Sequence, residues 1–130
     1  MWLYTLIALG GAVGSVARFL LNGVVSSQFG ATFPWGTLFV NVTGSFLIGF
    51  FFTLTEPGGR VFVSGNARQF FMTGICGGYT TFSTFALDAF TLVERSATLR
   101  ALGYITISVL GSYLAVIAGY ATARAMRPLT

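Results

Sequence analysis

The sequence predicts an all-α membrane protein with four transmembrane helices, folded as a single domain over residues 1–130. Charged residues make up 8% of the chain and apolar residues 55%, whereas soluble domains carry about 25% charged residues. Four apolar stretches reach the length of about 20 helical residues that crosses roughly 30 Å of hydrocarbon. Short connectors rich in Gly, Pro or polar residues separate them. The predicted spans are residues 3–25, 35–55, 69–93 and 101–123.

The composition also excludes several classes of function. Histidine is absent and Cys76 is the only cysteine, which removes His-based metal sites, Ser-His and Cys-His nucleophile pairs and an intrachain disulfide. The net charge of +4 comes from seven arginines, no lysine and three acids. These arginines lie far apart, so they form no patch that could follow a nucleic-acid backbone. We therefore expect neither an enzyme nor a nucleic-acid-binding protein.

The first span, residues 3–25, carries one charge, Arg18. A secretory signal would have basic residues before its apolar run, but Arg18 lies late within it, so we interpret the segment as a transmembrane helix. Gly10 and Gly14 form the Gly-x-x-x-Gly pattern that lets membrane helices approach closely. The pattern serves packing either within one subunit or between subunits.

The second span contains Thr37, Asn41 and Ser45 at i, i+4 and i+8, on one face of a helix. A Ser or Thr in a membrane helix often donates only to a carbonyl of its own helix. A membrane-buried Asn is costlier and needs a partner or water. We interpret the three residues as one side of a polar track.

The third span contains Gly77-Gly78 followed by several hydroxyl residues, a poor sequence for the middle of a helix. It predicts a broken helix near Gly77-Gly78, although a simple packing kink is the alternative. Broken backbone within a membrane is tolerated where it is buried or lines a cavity. The backbone groups at the ends of the two half-helices can then bind ions. Phe82 and Phe85 follow on one face, where they either pack as ordinary apolar side chains or present positive ring edges to an anion.

The fourth span carries Tyr104, Ser108 and Ser112, again at i, i+4 and i+8. Two such stripes of hydrogen-bond donors favour a pathway for an anion or a small neutral solute. The first two spans contain no carboxylate, and Asp88 is the only acid within any span.

The arginines predict little bias in membrane orientation. Four of them fall on the side of the termini and the central connector, and three on the other side, whereas a strong excess on one side would fix the topology. The first group is Arg60, Arg68, Arg124 and Arg127, and the second is Arg18, Arg95 and Arg100. The split indicates either a weakly specified orientation or dual topology, in which copies insert both ways and pair as an antiparallel homodimer.

Several of these motifs together resemble the Fluc family of fluoride channels. The resemblance rests on the run from Gly77 to Phe85, on Gly36-Thr37-Leu38 with Val40-Asn41, and on the stripe in the fourth span. It covers all four spans. It implies passive, highly selective fluoride export from the cytoplasm through two pores of an antiparallel homodimer, in the plasma (inner) membrane of a prokaryote.

The resemblance also implies roles for individual residues. Arg18 would supply positive potential near the aqueous opening. Gly77 and Thr80 would hold a structural sodium ion through their backbone carbonyls, and no organic cofactor is implied. The expected fluoride pathway comprises Thr37, Asn41, Phe82, Phe85, Tyr104, Ser108 and Ser112. Two positions depart from the family's usual residues, because Asp88 stands where Glu is common and Ala86 where a hydroxyl residue is common.

Two other functions fit a chain of this size. A proton-coupled exporter of small organic cations would need an essential membrane carboxylate, for which Asp88 is the sole candidate. A noncatalytic subunit of a larger membrane complex would show no ion flux when purified.

Overall fold

The computed structural model describes residues 1–59 and 61–126, and throughout this part the regular structure is helical. The prediction of an all-α protein is thus confirmed. Three helices are long and apolar enough to cross a membrane. They are α1 (Trp2–Phe29), α2 (Trp35–Leu54) and the last helix, α5 (Thr98–Ala125). Helix α1 ends at Gly30, which has a φ of +83°. Glycine suits this position, because a residue with a side chain would be strained in that conformation.

Two shorter helices occupy the position of the predicted third span. The first, α3, covers residues 65–79 and consists of an α-helical turn (Gly65–Gln69), a π-helical segment (Phe70–Cys76) and a final turn (Gly77–Tyr79). The second, α4 (Phe82–Glu94), has 13 residues. At 1.5 Å per residue each helix measures only about 20 Å, so neither alone is long enough for roughly 30 Å of hydrocarbon.

The predicted third span is therefore broken near Gly77-Gly78, as expected, and the break itself lies two residues after the glycine pair, at Thr80-Thr81. Gly77 keeps helical backbone angles, with φ of −65° and ψ of −38°. Gly78 is needed for packing, because a Cβ atom there would lie 2.5 Å from the carbonyl oxygen of Gly11. The glycines thus let α1 approach, and the extended backbone of Thr80 and Thr81 separates the two helices.

The Gly-x-x-x-Gly pattern of α1 packs within the chain, against α3. A Cβ atom on Gly10 would lie 2.6 Å from the Phe70 carbonyl oxygen, and one on Gly14 would lie 2.2 Å from that of Ile75. Both distances are far below van der Waals contact, so only glycine permits this approach.

Helices α2 and α5 form a second close pair. A Cβ atom on Gly49 would lie 2.5 Å from the Val116 carbonyl oxygen, and one on Gly119 would lie 2.2 Å from that of Phe46. This close contact sets how far α2 and α5 are shifted along each other. The shift in turn sets which residues of their polar stripes lie beside the break between α3 and α4. Large apolar side chains such as Leu20, Leu110 and Leu114 remain exposed on the outside, as suits a surface in contact with lipid.

Candidate functional site

The side-chain amide of Asn41 on α2 both donates a hydrogen bond to the backbone of Thr81 and accepts one from it. Its Nδ2 donates to the carbonyl oxygen of Thr81 over 3.1 Å, and the backbone N–H of Thr81 donates to Oδ1 of Asn41 over 2.8 Å. Because Thr81 is buried, with 8% of its surface exposed, these backbone groups need such partners. The side chain of Asn41 thereby replaces the helical hydrogen bonds that the break interrupts.

Thr81 in turn begins α4 as its N-cap residue. Its Oγ1 accepts a hydrogen bond of 3.2 Å from the backbone N–H of Thr84 and lies 3.0 Å from that residue's hydroxyl. An N-cap of this kind typically stabilises a helix by about 1 kcal/mol. The cap fixes the direction in which α4 leaves the break.

These two interactions free two backbone carbonyls. In a continuous helix, the N–H groups of Thr81 and Thr84 would donate to the carbonyl oxygens of Gly77 and Thr80. Here they donate to Asn41 and to the Thr81 hydroxyl instead. Within residues 1–59 and 61–126 no other hydrogen bond to either oxygen is present. Two carbonyl oxygens are thus available at the end of α3.

A cleft of about 400 Å³ lies beside the break and brings together most of the predicted pathway residues. Phe82 and Phe85 form one wall, with ring centroids 5.4 Å apart and planes tilted by 50°. Phe85 is buried, whereas Phe82 is 78% exposed, so the cleft is open at the surface of the chain. The hydrogen-bonding side chains of its lining from α2 and α5 are Asn41, Ser45, Ser108 and Ser112.

Ser108 carries the one buried side-chain atom among the described residues that has no hydrogen-bond partner. It is 4% exposed, and its hydroxyl has no hydrogen-bond partner among the described residues. Leaving a buried hydroxyl unpaired costs about 1 to 3 kcal/mol. The hydroxyl is therefore available to donate to a ligand in the cleft.

Thr37 and Tyr104, the first members of the two stripes, meet at Asp88 rather than in this cleft. The Thr37 hydroxyl donates to Oδ2 of Asp88 over 2.7 Å, and the Tyr104 hydroxyl reaches the same oxygen at 3.4 Å. The Tyr104 ring lies 5.3 Å from that of Phe85 and meets the Phe33 ring edge-on. Sequence reasoning missed this cluster, although Asp88 follows Phe85 by three residues and so shares its helix face.

Arg18 is half-buried on α1, on the same side as the contacts with α3. It follows Gly14 by four residues and Ser15 by three, and the Ser15 hydroxyl reaches the Gly78 carbonyl oxygen at 3.5 Å. Arg18 itself has no hydrogen bond or ion pair in the part of the chain that the structure describes. Its expected electrostatic role stays a prediction.

Comparison with known proteins identifies the family. Residues 5–120 match the family described as CrcB-like protein, Camphor Resistance (CrcB). A protein of Opitutus terrae named fluoride-specific ion channel FluC is 50% identical over 129 residues, which cover 99% of this chain and 98% of the relative. Relatives with the same name from Rhizobium meliloti and Rhodospirillum rubrum are 52% and 48% identical, over 93% and 90% of this chain and 95% and 91% of their own lengths. The chain therefore belongs to the CrcB-like family.

Proposed function

We propose that this chain is a passive, selective fluoride channel. The observation that carries the proposal is the donor-lined cleft beside the broken helix, in a chain about 50% identical over nearly its whole length to proteins named fluoride-specific ion channels. Its setting would be the plasma (inner) membrane of a prokaryotic cell, where fluoride leaves the cytoplasm down its gradient.

The chemistry of fluoride explains why many neutral donors are needed. An isolated ion in a medium of low dielectric constant costs tens of kcal/mol, and one hydrogen bond to a charged group returns only about 1.5 to 3 kcal/mol. The side chains of Asn41, Ser108 and Ser112 would replace hydration water in steps. The ring edges of Phe82 and Phe85 would contact the ion while excluding water and larger anions. Each site must bind weakly enough for the ion to leave.

The shape of the cleft supports a homodimer. In a single chain the cleft and the 78% exposed Phe82 ring lie at the surface, and polar groups facing lipid are costly. A second copy would close the open side, and two copies would form two pores. An antiparallel arrangement fits the weak arginine bias, with Arg68 and Arg124 at one end and Arg18, Arg95 and Arg100 at the other; Arg60 and Arg127 lie outside the described residues.

A structural sodium ion is part of the proposal. The carbonyl oxygens of Gly77 and Thr80 lost their helical donors at the break, and carbonyl oxygens are suitable ligands for a hard cation. Such an ion would compensate the unpaired oxygens and hold the break in place. Removing sodium should therefore lower the thermal stability of the purified protein, with lithium or potassium as the substitute cation in the control.

Flux from liposomes tests the function. Vesicles containing the purified protein and loaded with fluoride or chloride should release fluoride rapidly and chloride at the background rate, measured with ion-selective electrodes. Phe82→Ile and Phe85→Ile should each reduce fluoride release. Phe90→Ile, at an exposed position of the same helix, is the matched control and should leave release unchanged. Absence of fluoride release from the wild-type protein would refute the proposal.

The relatives give no support to the organic-cation exporter, since each of those reported above is named a fluoride-specific ion channel. The role of Asp88 in each mechanism still provides a direct test, which is developed below.

A further inference from the structure

We propose that a second cleft, around Arg95 and Arg100, is the anion-collecting mouth of the pathway. The inference rests on the proposed fluoride channel and adds the two residues that would attract the ion at this end. They would bind a small inorganic anion transiently, through charge, before it meets the carboxyl group of Asp88.

The second cleft has a volume of about 530 Å³ and lies where α4 ends and α5 begins. Residues of α1, α2 and the connector between them complete its wall. Asp88 lines it from α4, seven residues before Arg95, which corresponds to about 10 Å along the helix. Tyr104 packs between the two clefts: its hydroxyl lies 3.4 Å from Oδ2 of Asp88, which lines the second cleft, and its ring centroid lies 5.3 Å from that of Phe85, which lines the first. In the proposed pathway the two arginines would stand at its outer end, and the inner part would contain the predicted pathway residues.

The charges of the wall favour an anion only because of these arginines. Asp88, Arg95 and Arg100 are the charged residues of the lining, and their formal sum is +1, whereas Asp88 alone would repel an anion. Glu94 is exposed next to Arg95 but does not line the cleft. In the described residues neither guanidinium group has a hydrogen bond or an ion pair, so both are free to attract a mobile ion.

The other donors of the wall are largely occupied. The Ser26 hydroxyl donates to Oδ1 of Asn22 over 3.1 Å, and the Thr91 hydroxyl donates to the Leu87 carbonyl oxygen over 2.8 Å. The Thr37 hydroxyl donates to Asp88. The guanidinium groups of Arg95 and Arg100 are therefore the strongest donors that this cleft can offer an incoming anion.

Single-channel conductance in planar bilayers tests the mouth. We expect the Arg95→Gln/Arg100→Gln double variant to conduct fluoride about two- to tenfold less than wild type at an ionic strength near 10 mM, because focused positive charge raises local anion concentration by such factors or more. At about 500 mM, where an impermeant salt shortens the Debye length to a few ångströms, the difference should largely disappear. The Arg95→Lys/Arg100→Lys variant should conduct as wild type does.

Arg124→Gln is the matched control at the other end of the chain, where the guanidinium is already bound to the Tyr120 hydroxyl. It should leave conductance unchanged. A second measurement avoids comparing separately folded variants: Arg95→Cys channels are modified in the bilayer by thiol reagents of opposite charge, and wild-type channels, which keep the buried Cys76 of the first cleft, receive the same reagents as the control. The cationic reagent should raise conductance and the anionic reagent should not.

Equal conductance of wild type and the double Gln variant at low ionic strength would overturn the inference, as would equal effects of the two reagents. In both cases a conducting wild type leaves the proposed function intact. A wild type that conducts no fluoride would instead refute the channel and the mouth together.

Discussion

Replacing Asn41 by alanine tests whether this side chain holds the break as well as lining the pathway. The substitution removes two hydrogen bonds, of 3.1 and 2.8 Å, to the backbone of Thr81. Hydrogen bonds between membrane helices contribute about 0.6 kcal/mol on average and up to about 1.7 kcal/mol each. Two bonds to a buried residue therefore predict that residues 77–84 lose about 1 to 3 kcal/mol of local stability.

Amide hydrogen exchange measures this loss directly. A change of 1 to 3 kcal/mol corresponds to exchange about 5- to 150-fold faster in peptides covering residues 77–84. Fluoride conductance should fall in the same variant, because Phe82 is attached to the segment that Asn41 orients. Asn41→Asp keeps an acceptor for the Thr81 N–H but places an oxygen against the Thr81 carbonyl, so it should not restore protection.

Ser45→Ala is the control for the exchange measurement, since Ser45 lies one turn further along the same stripe and makes no hydrogen bond to the break. Exchange of residues 77–84 should be unchanged in it. Wild-type exchange in Asn41→Ala would show that the Asn41–Thr81 pair does not stabilise the break, and the reasoning would be wrong.

Three further predictions concern packing, an unpaired hydroxyl and a carboxyl group. Gly14→Ala should lower the free energy of unfolding by about 1 to 3 kcal/mol, because its Cβ would meet the Ile75 carbonyl oxygen. Gly11→Ala is the control, since the space around its Cβ is open, and it should leave this free energy unchanged. Thermal unfolding in detergent compares the two variants. Ser108→Ala should leave the free energy of unfolding unchanged or raise it by up to about 1 kcal/mol, because the deleted hydroxyl makes no hydrogen bond within the described residues. The same substitution should lower fluoride conductance. Asp88→Asn should retain passive fluoride release in the electrode assay; release at background would instead favour a proton-coupled mechanism.

The sequence was sufficient to predict the long apolar helices and a break near Gly77-Gly78, but not the contacts that place the break at Thr80-Thr81. Hydrophobic length and composition are local properties, so they predict four spans without knowledge of their neighbours, and three of these are single long helices in the structure. The break depends on contacts between helices. Gly78 is helical because Gly11 packs against it, and Thr81 is extended because Asn41, forty residues earlier, supplies the missing hydrogen bonds.

The pathway residues show the same division. Helical spacing predicted that Asn41 and Ser45 share one face and that Ser108 and Ser112 share another, and the cleft contains all four. It did not predict that Thr37 and Tyr104 would converge on Asp88, because this depends on how α2, α4 and α5 pack. A rule based on the spacing within one helix cannot find a cluster that three helices build.

The arginines of the proposed pathway lie outside the cleft that contains the predicted fluoride-contacting residues. A guanidinium group inside the first cleft would form strong charge-assisted hydrogen bonds with fluoride and would slow its exit. Instead, the first cleft is lined by neutral groups, and Arg95 and Arg100 line the second cleft, which has the larger volume. Both arginines are exposed, so solvent would weaken their attraction, and an anion would be concentrated but not retained. Moving positive charge inwards, by Ser112→Arg in the first cleft, should therefore increase fluoride affinity and decrease conductance, and an increase in both would contradict this account.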